Sequence, residues 1–291
     1  MGRTAVNGIE LEYEVLGDQG ADPLLLIMGL GEQLVTWPDE FCQLLVDAGH
    51  CVIRYDNRDA GLSTKFHEAG MPDLQALATG GDADIPYTME DMAQDAVGLL
   101  GALSIERAHI VGASLGGMIA QTVAIHHAPQ VKTLTSIMSA TGNPQSPPPT
   151  PEAAALLTMP RPPQRDARIE QSVKSARLLH GDPELFDEAQ VRERAAFKYD
   201  RSSYTAGVPR QLAAIIKQGN REPLLADVAV PTLVLHGTED PLVPHGCGEM
   251  TAAAITGARL ELIEGMGHSL PAHVHGELAR HIIEHTGIAT G

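Results

Sequence analysis

His109-Ile110-Val111-Gly112-Ala113-Ser114-Leu115-Gly116-Gly117 is the stretch that decides how this chain folds. The apolar run His109 to Val111 suits a short strand covered on both faces, and Leu115 to His127 suits an apolar helix. Between them stands Gly112-x-Ser114-x-Gly116, a pattern whose small residues let the chain turn sharply and leave the serine exposed at a strand end. That turn aims the Leu115 amide at the place where an oxyanion would form, with the positive end of the following helix behind it. In a chain with 29 glycines the five-residue pattern arises easily by chance. The strand before it, the helix after it and Gly117 for close packing give it meaning.

Outward from this stretch the same alternation recurs. Thr4 to Val6, an Asn7-Gly8 turn and the alternating Ile9, Leu11, Tyr13, Val15 predict an antiparallel hairpin. Leu24 to Met28, Cys51 to Ile53, Thr133 to Met138, Thr232 to Leu235 and Leu260 to Ile263 read as further strands. Helices are predicted over Trp37 to Ala48, Thr88 to Leu103 and Leu278 to Glu284, with Thr88 and Asp91 as an N-terminal capping signal. Strands alternating with helices predict right-handed βαβ units and a mostly parallel sheet flanked by helices. The rhythm breaks at the proline-rich Asn143 to Pro151. We read residues 1–142 and 219–291 as one α/β core and 143–218 as a helical cap inserted into it. Leu178, Leu179, Leu185 and Leu212, Ile215, Ile216 give the insert apolar positions that need a surface to pack on.

Composition narrows the classes. The chain has 291 residues, 43% hydrophobic and 20% charged, as expected for a globular protein with a sizeable core. A formal net charge of -17 opposes binding to nucleic acid or anionic lipid. No apolar run reaches the roughly 20 residues of a membrane span, and Met1 to Glu10 lacks a signal-peptide pattern, so a cytoplasmic location is expected. Cys42, Cys51 and Cys247 have no metal or disulfide spacing and read as small apolar residues. His273 and His275, two apart at a helix start, do not share a face, and no metal is expected.

A serine hydroxyl needs a base within hydrogen-bond reach. Of 13 histidines, His268 in Gly265-Met266-Gly267-His268-Ser269 follows the last strand and so falls at the sheet edge where Ser114 sits. His126 and His127 lie about three turns along the helix from the serine, and His236 reads as structural. The orienting acid belongs between serine and histidine in chain order, in His236-Gly237-Thr238-Glu239-Asp240-Pro241. Glu239 competes, and Asp240 leads because its Asp-Pro mounting is the more rigid. A second oxyanion donor is expected in Met28-Gly29-Leu30-Gly31, at the Leu30 amide.

These positions, together with Trp37-Pro38-Asp39-Glu40-Phe41, Arg54-Tyr55-Asp56-Asn57-Arg58-Asp59-Ala60-Gly61-Leu62-Ser63-Thr64 and Gly265 to Pro271, resemble the α/β-hydrolase superfamily and, within it, the aclacinomycin methylesterase group. The resemblance implies a cofactor-free serine esterase with a helical cap. Its triad falls on Ser114, Asp240 and His268, its oxyanion amides on Leu30 and Leu115, and its substrate is a small-molecule ester. Asp59 stands where many relatives have glycine, and Leu30-Gly31-Glu32 also departs, both expected at the pocket wall. The same triad serves a perhydrolase, if peroxide intercepts the acyl-enzyme, or an acyltransferase, if an alcohol does. A ligand-binding receptor on a hydrolase scaffold is the reading from another class.

Overall fold

The computed structural model describes residues 1–288. Eight strands, β1 (Gly2–Val6), β2 (Ile9–Leu16), β3 (Asp22–Ile27), β4 (His50–Tyr55), β5 (Ala108–Ala113), β6 (Val131–Ile137), β7 (Thr232–Gly237) and β8 (Arg259–Ile263), form one sheet in the order β1-β2-β4-β3-β5-β6-β7-β8. The β1/β2 and β2/β4 pairings are antiparallel; all the others are parallel. Asn7, with φ 47, and Gly8, with φ 77, make the β1/β2 turn, both in the left-handed region that such a two-residue connection demands.

Alternate residues of the central strands enter two separate cores, as a pleated strand requires. Leu25, Ile27, Ile53 and Ile110 pack beneath the helices Met89–Ala102 and Leu115–His126. Leu24, Leu26, Val52 and Val111 pack beneath Asp39–Asp47 and His275–Ile288. Each such side chain stabilises the fold by about 1.5–3 kcal/mol relative to exposure. Thr88 caps Met89–Ala102 through a reciprocal box with Asp91. The helix expected from Trp37 starts at Asp39, because Pro38 keeps Trp37 extended and is itself the extended N-cap; Trp37 is buried and stacks on Phe41 at 5.6 Å.

Between β6 and β7 the chain forms the helices Pro151–Thr158, Arg165–Leu179, Glu188–Arg201 and Gly207–Gln218, then the short Glu222–Leu225. Ile169, Val173 and Ala195 give the second and third of these a small core of their own. Gly207–Gln218 is seated differently: its Ala214 belongs to the main core, and its Arg210 makes a bidentate pair with Asp59 at 2.6 and 3.0 Å. Leu212 and Ile215 face a cavity over the sheet edge, as does Leu179, while Leu178 and Leu185 stay exposed.

Asp59 sits at φ 66, and its carboxylate also accepts the Tyr87 hydroxyl, the Phe66 amide and the Tyr204 hydroxyl. It is absent from the wall of that cavity, contrary to the sequence expectation. The residue that replaces a glycine is instead the anchor that ties Gly207–Gln218 to the loop after β4.

At the opposite end of the strands His50 and His109 bracket Asp22, with His109 Nε2 3.0 Å from its carboxylate and Lys132 pairing with the same group. His285 directs Nε2 at the Leu134 carbonyl, 3.2 Å away. All three cysteines are free and buried, and burial pushes the Cys42 thiol up to about 12 and Cys247 up to about 11.

Two outcomes are expected. Removing one partner of a buried ion pair leaves the other charge uncompensated, so Arg210→Ala lowers the free energy of urea unfolding by about 3–5 kcal/mol. Burial lowers His285 to about 4 from 6.5 and lowers His50 and His109 as well. Their neutral forms favour the folded state, so this stability is full above pH 6.5 and is lost as pH falls toward 4. The urea midpoint should drop across that window, less steeply in His285→Gln.

Candidate active site

The turn from β5 into the helix Leu115–His126 is built by main-chain crowding. Ser114 lies at φ 56 and ψ -121, a strained conformation for a residue with a side chain. A Cβ on Gly112 would come within 2.0 Å of the Gly116 carbonyl oxygen, and one on Gly116 within 2.0 Å of the Ile27 carbonyl oxygen. A Cβ on Gly117 would stand 2.6 Å from that of Ser139. The turn is held on both sides: the Ser114 amide donates to the Ile137 carbonyl at 2.9 Å, and the Ser139 hydroxyl donates to the Ser114 carbonyl at 2.8 Å. The serine Oγ is thereby presented at the carboxyl edge of the sheet.

Two loops bring the other groups to it. After β7, Asp240 is buried, and one of its oxygens accepts the amides of Leu242 and Val243 at 2.9 and 2.8 Å. Its other oxygen lies 2.7 Å from His268 Nδ1, and His268 Nε2 lies 2.9 Å from Ser114 Oγ. Glu239, the rival acid, points to solvent. Burial pushes the Asp240 carboxyl up, but charge on His268 and hydrogen bonds from the flanking groups hold it well below the ordinary carboxylate range. His236 donates from Nε2 to the Val243 carbonyl at 2.7 Å and so pins the acid loop, consistent with the structural role read from sequence.

The glycines beside His268 answer to the segment following Arg165–Leu179. A Cβ on Gly267 would come within 2.3 Å of the Leu179 carbonyl oxygen, and the Gly267 amide donates to the His180 carbonyl at 3.1 Å. Gly181, at φ 96, pairs with Met266 in an isolated bridge. The acid and histidine loops are also joined directly, through Thr238 to Ile263 at 3.0 Å and Glu239 to Met266 at 3.0 Å.

A cavity of 460 Å³ opens above Ser114 and His268, with Leu30 and Leu115 in its wall. Leu115 is the first residue of its helix, so its amide has no intrahelical acceptor. The Leu30 amide has no acceptor among the described residues. Leu30 stands in a tight turn closed from the Glu32 amide to the Gly29 carbonyl at 3.2 Å, with Gly31 at φ 68, while Asn57 holds the Met28 carbonyl at 2.8 Å.

A family model described as the α/β-hydrolase fold matches residues 22–271. The chain belongs to the α/β-hydrolase family. Rhodomycin D methylesterase DnrP of Streptomyces peucetius is 32% identical, the match covering 97% of this chain and 96% of that protein. DauP of Streptomyces sp. strain C5, another rhodomycin D methylesterase, matches with the same identity and coverage. Among solved structures, a meta-cleavage product hydrolase from Pseudomonas fluorescens IP01 superposes with a TM-score of 0.76 at 20% identity, over 99% of this chain and 98% of the other. That last likeness speaks to the fold alone.

Within this α/β-hydrolase frame, the conspicuous loop after β4 performs a supporting task. Asp56 receives the amides of Leu34 and Leu62 at 2.6 and 2.7 Å and pairs with Arg201 at 2.8 Å, tying three chain segments together. Sequence reasoning missed cavity residues from the core, among them Val35, Met118, Leu242 and Val243, and from the insert, among them Leu156, Met159, Arg161, Arg168, Ser175 and Lys198. The spacing of those in the insert is ordinary for solvent-facing helices. No local pattern distinguishes a helix that roofs a cavity from one that does not.

Since a side chain at position 116 would strike the main chain of the neighbouring strand, Gly116→Ala is expected to displace Ser114. Thermal unfolding should shift downward by several degrees. The rate of fluorophosphonate labelling at Ser114 should fall further than the stability change accounts for.

Proposed function

We propose that this protein is a cofactor-free serine esterase acting on a carboxylic ester, a methyl ester above all, of a small or medium hydrophobic molecule. The observation that carries the reading is the continuous hydrogen-bonded relay from Ser114 Oγ through His268 to buried Asp240. The family and the two methylesterase relatives support ester hydrolysis. A largely apolar cavity over the serine supports a hydrophobic acyl or alcohol portion.

In this reading Ser114 Oγ attacks the ester carbonyl as His268 Nε2 takes its proton. The His268 Nδ1–H, directed at the Asp240 carboxylate, keeps the productive tautomer and stabilises the imidazolium as it forms. The amides of Leu30 and Leu115 receive the tetrahedral oxyanion, aided by the positive end of the helix that begins at Leu115. His268 then protonates the departing alcohol. Water, deprotonated by the same imidazole, attacks the acyl-enzyme, and its collapse releases the acid and restores the serine. The insert over residues 143–218 acts as a cap: its helices cover the serine and shield the acyl-enzyme from bulk water.

Hydrolysis of p-nitrophenyl butyrate and of methyl esters tests the assignment. Ser114→Ala and His268→Ala should each lose about a millionfold in kcat, and Asp240→Asn about ten-thousandfold through the wrong tautomer, with folding preserved. Retention of most activity in Ser114→Ala would refute the proposal.

A further inference from the structure

The cavity is chemically divided along the helix Arg165–Leu179. Its face toward the cavity presents Arg168, Gln171, Ser172 and Ser175, then Ala176 and Leu179. Leu179 touches the His268 loop, so the apolar end lies beside the reacting groups. Arg168 stands eleven positions earlier, roughly 16 Å away along the helix axis. Arg161, in the loop before this helix, lines the same cavity, its Nη1 3.9 Å from where a Cβ on Gly31 would stand, and its charge reaches both Arg168 and Glu32.

Four cationic side chains line this cavity, and two of them are balanced. Lys198 pairs with Glu32 at 2.8 Å, and Arg194 with Glu40 at 3.2 Å. Arg161 and Arg168 have no carboxylate within ion-pair distance among the described residues. Arg168 donates one bond, from Nη2 to the Pro162 carbonyl at 2.8 Å, and its Nε is buried with no acceptor. Burial, and after it the positive charge of Arg161, lowers the Arg168 pKa, so the two guanidiniums feel each other. Glu32, the nearest acid of the wall, is already engaged by Lys198 and by the Thr36 hydroxyl at 2.6 Å. Arg161 is exposed and its charge also acts on Glu32, so half-buried Arg168, with a single hydrogen bond, is the cation of the wall left least compensated in a chain of formal net charge -17.

We propose that Arg168, with Arg161 near it, forms a carboxylate subsite in the cavity wall away from His268, so that the preferred substrate is a half ester carrying a free carboxylate distal to the bond cleaved. This rests on the esterase reading and narrows it. Guanidinium groups match the planar carboxylate with paired hydrogen bonds, and the buried Arg168 Nε is a donor awaiting such an acceptor. Between Arg168 and the serine the wall passes from polar Gln171, Ser172 and Ser175 to apolar Ala176 and Leu179, so the length of the spacer between carboxylate and ester is what the cavity selects.

The test compares monomethyl with dimethyl esters of straight-chain dicarboxylic acids from glutarate to sebacate, following methanol release. For at least one spacer length kcat/KM should be about tenfold higher for the half ester, and the preference should shrink as salt is raised. Arg168→Gln and Arg161→Gln should each lower kcat/KM for the half ester at least fivefold more than for the diester. Diesters preferred at every length, or an equal loss on both substrates in the variants, would overturn the subsite while leaving the esterase reading intact. Calorimetry makes the subsite independent of turnover. Ser114→Ala should bind monomethyl suberate more tightly than dimethyl suberate, and Arg168→Gln in that background should abolish the difference. Equal binding of the two in Ser114→Ala would likewise refute it.

Discussion

The whole site depends on one strained residue. Ser114 is held at positive φ where the main chains around it pass closely, by contacts that are mostly between backbones, with the Ser139 hydroxyl adding a side-chain bond to the Ser114 carbonyl. Gly112 faces Gly116 within a turn, and Gly116 faces the carbonyl of Ile27 at the end of β3. The hydroxyl therefore sits at the carboxyl edge of two adjacent central strands, where the loop after β3 supplies a free amide at Leu30. Packing of the sheet core is thus converted into the direction of a single C–O bond.

The second requirement is alignment of two loops that are distant in sequence. Asp240 and His268 are joined through their side chains and through the main-chain bonds that lace the loops after β7 and β8. The insert braces both. The Thr150 amide, at the start of its first helix, donates to the Pro241 carbonyl at 2.8 Å, and Leu179 to Gly181 press on Gly265 and Gly267. An insert that touches the acid loop and the histidine loop couples the shape of the cavity to the alignment of the relay. The Asp59 to Arg210 pair then fixes the helix Gly207–Gln218 to the loop after β4, while Arg165–Leu179 and Glu188–Arg201 pack on a small cluster of their own.

Much of this was legible from the residues. Every one of the eight strands announced itself as an apolar or alternating run, because buried strands tolerate little else. Gly112 to Gly117 marked the elbow, since only small residues permit that approach of main chains. Asp240 and His268 could be placed by chain order and loop position; of the neighbouring glycines, Gly267 is dictated by steric contact and Gly265 by its φ of 71. Asp59 illustrates the opposite case: its departure from glycine was plain, yet its partner Arg210 lies 151 residues away, and only the folded chain reveals an ion pair where a pocket wall was expected.

The sequence by itself determined the local elements and singled out the candidate residues Ser114, Asp240 and His268, because burial, turn sterics and capping act between residues close along the chain. Strand order, the 2.7 and 2.9 Å contacts of His268, the cavity and its cationic end belong to the tertiary structure. These arise from contacts between segments well separated along the chain, such as Ser114 with His268 or Arg168 facing the same space as Ser114 and Leu30. A pattern confined to neighbouring residues carries no record of which surface a helix will meet.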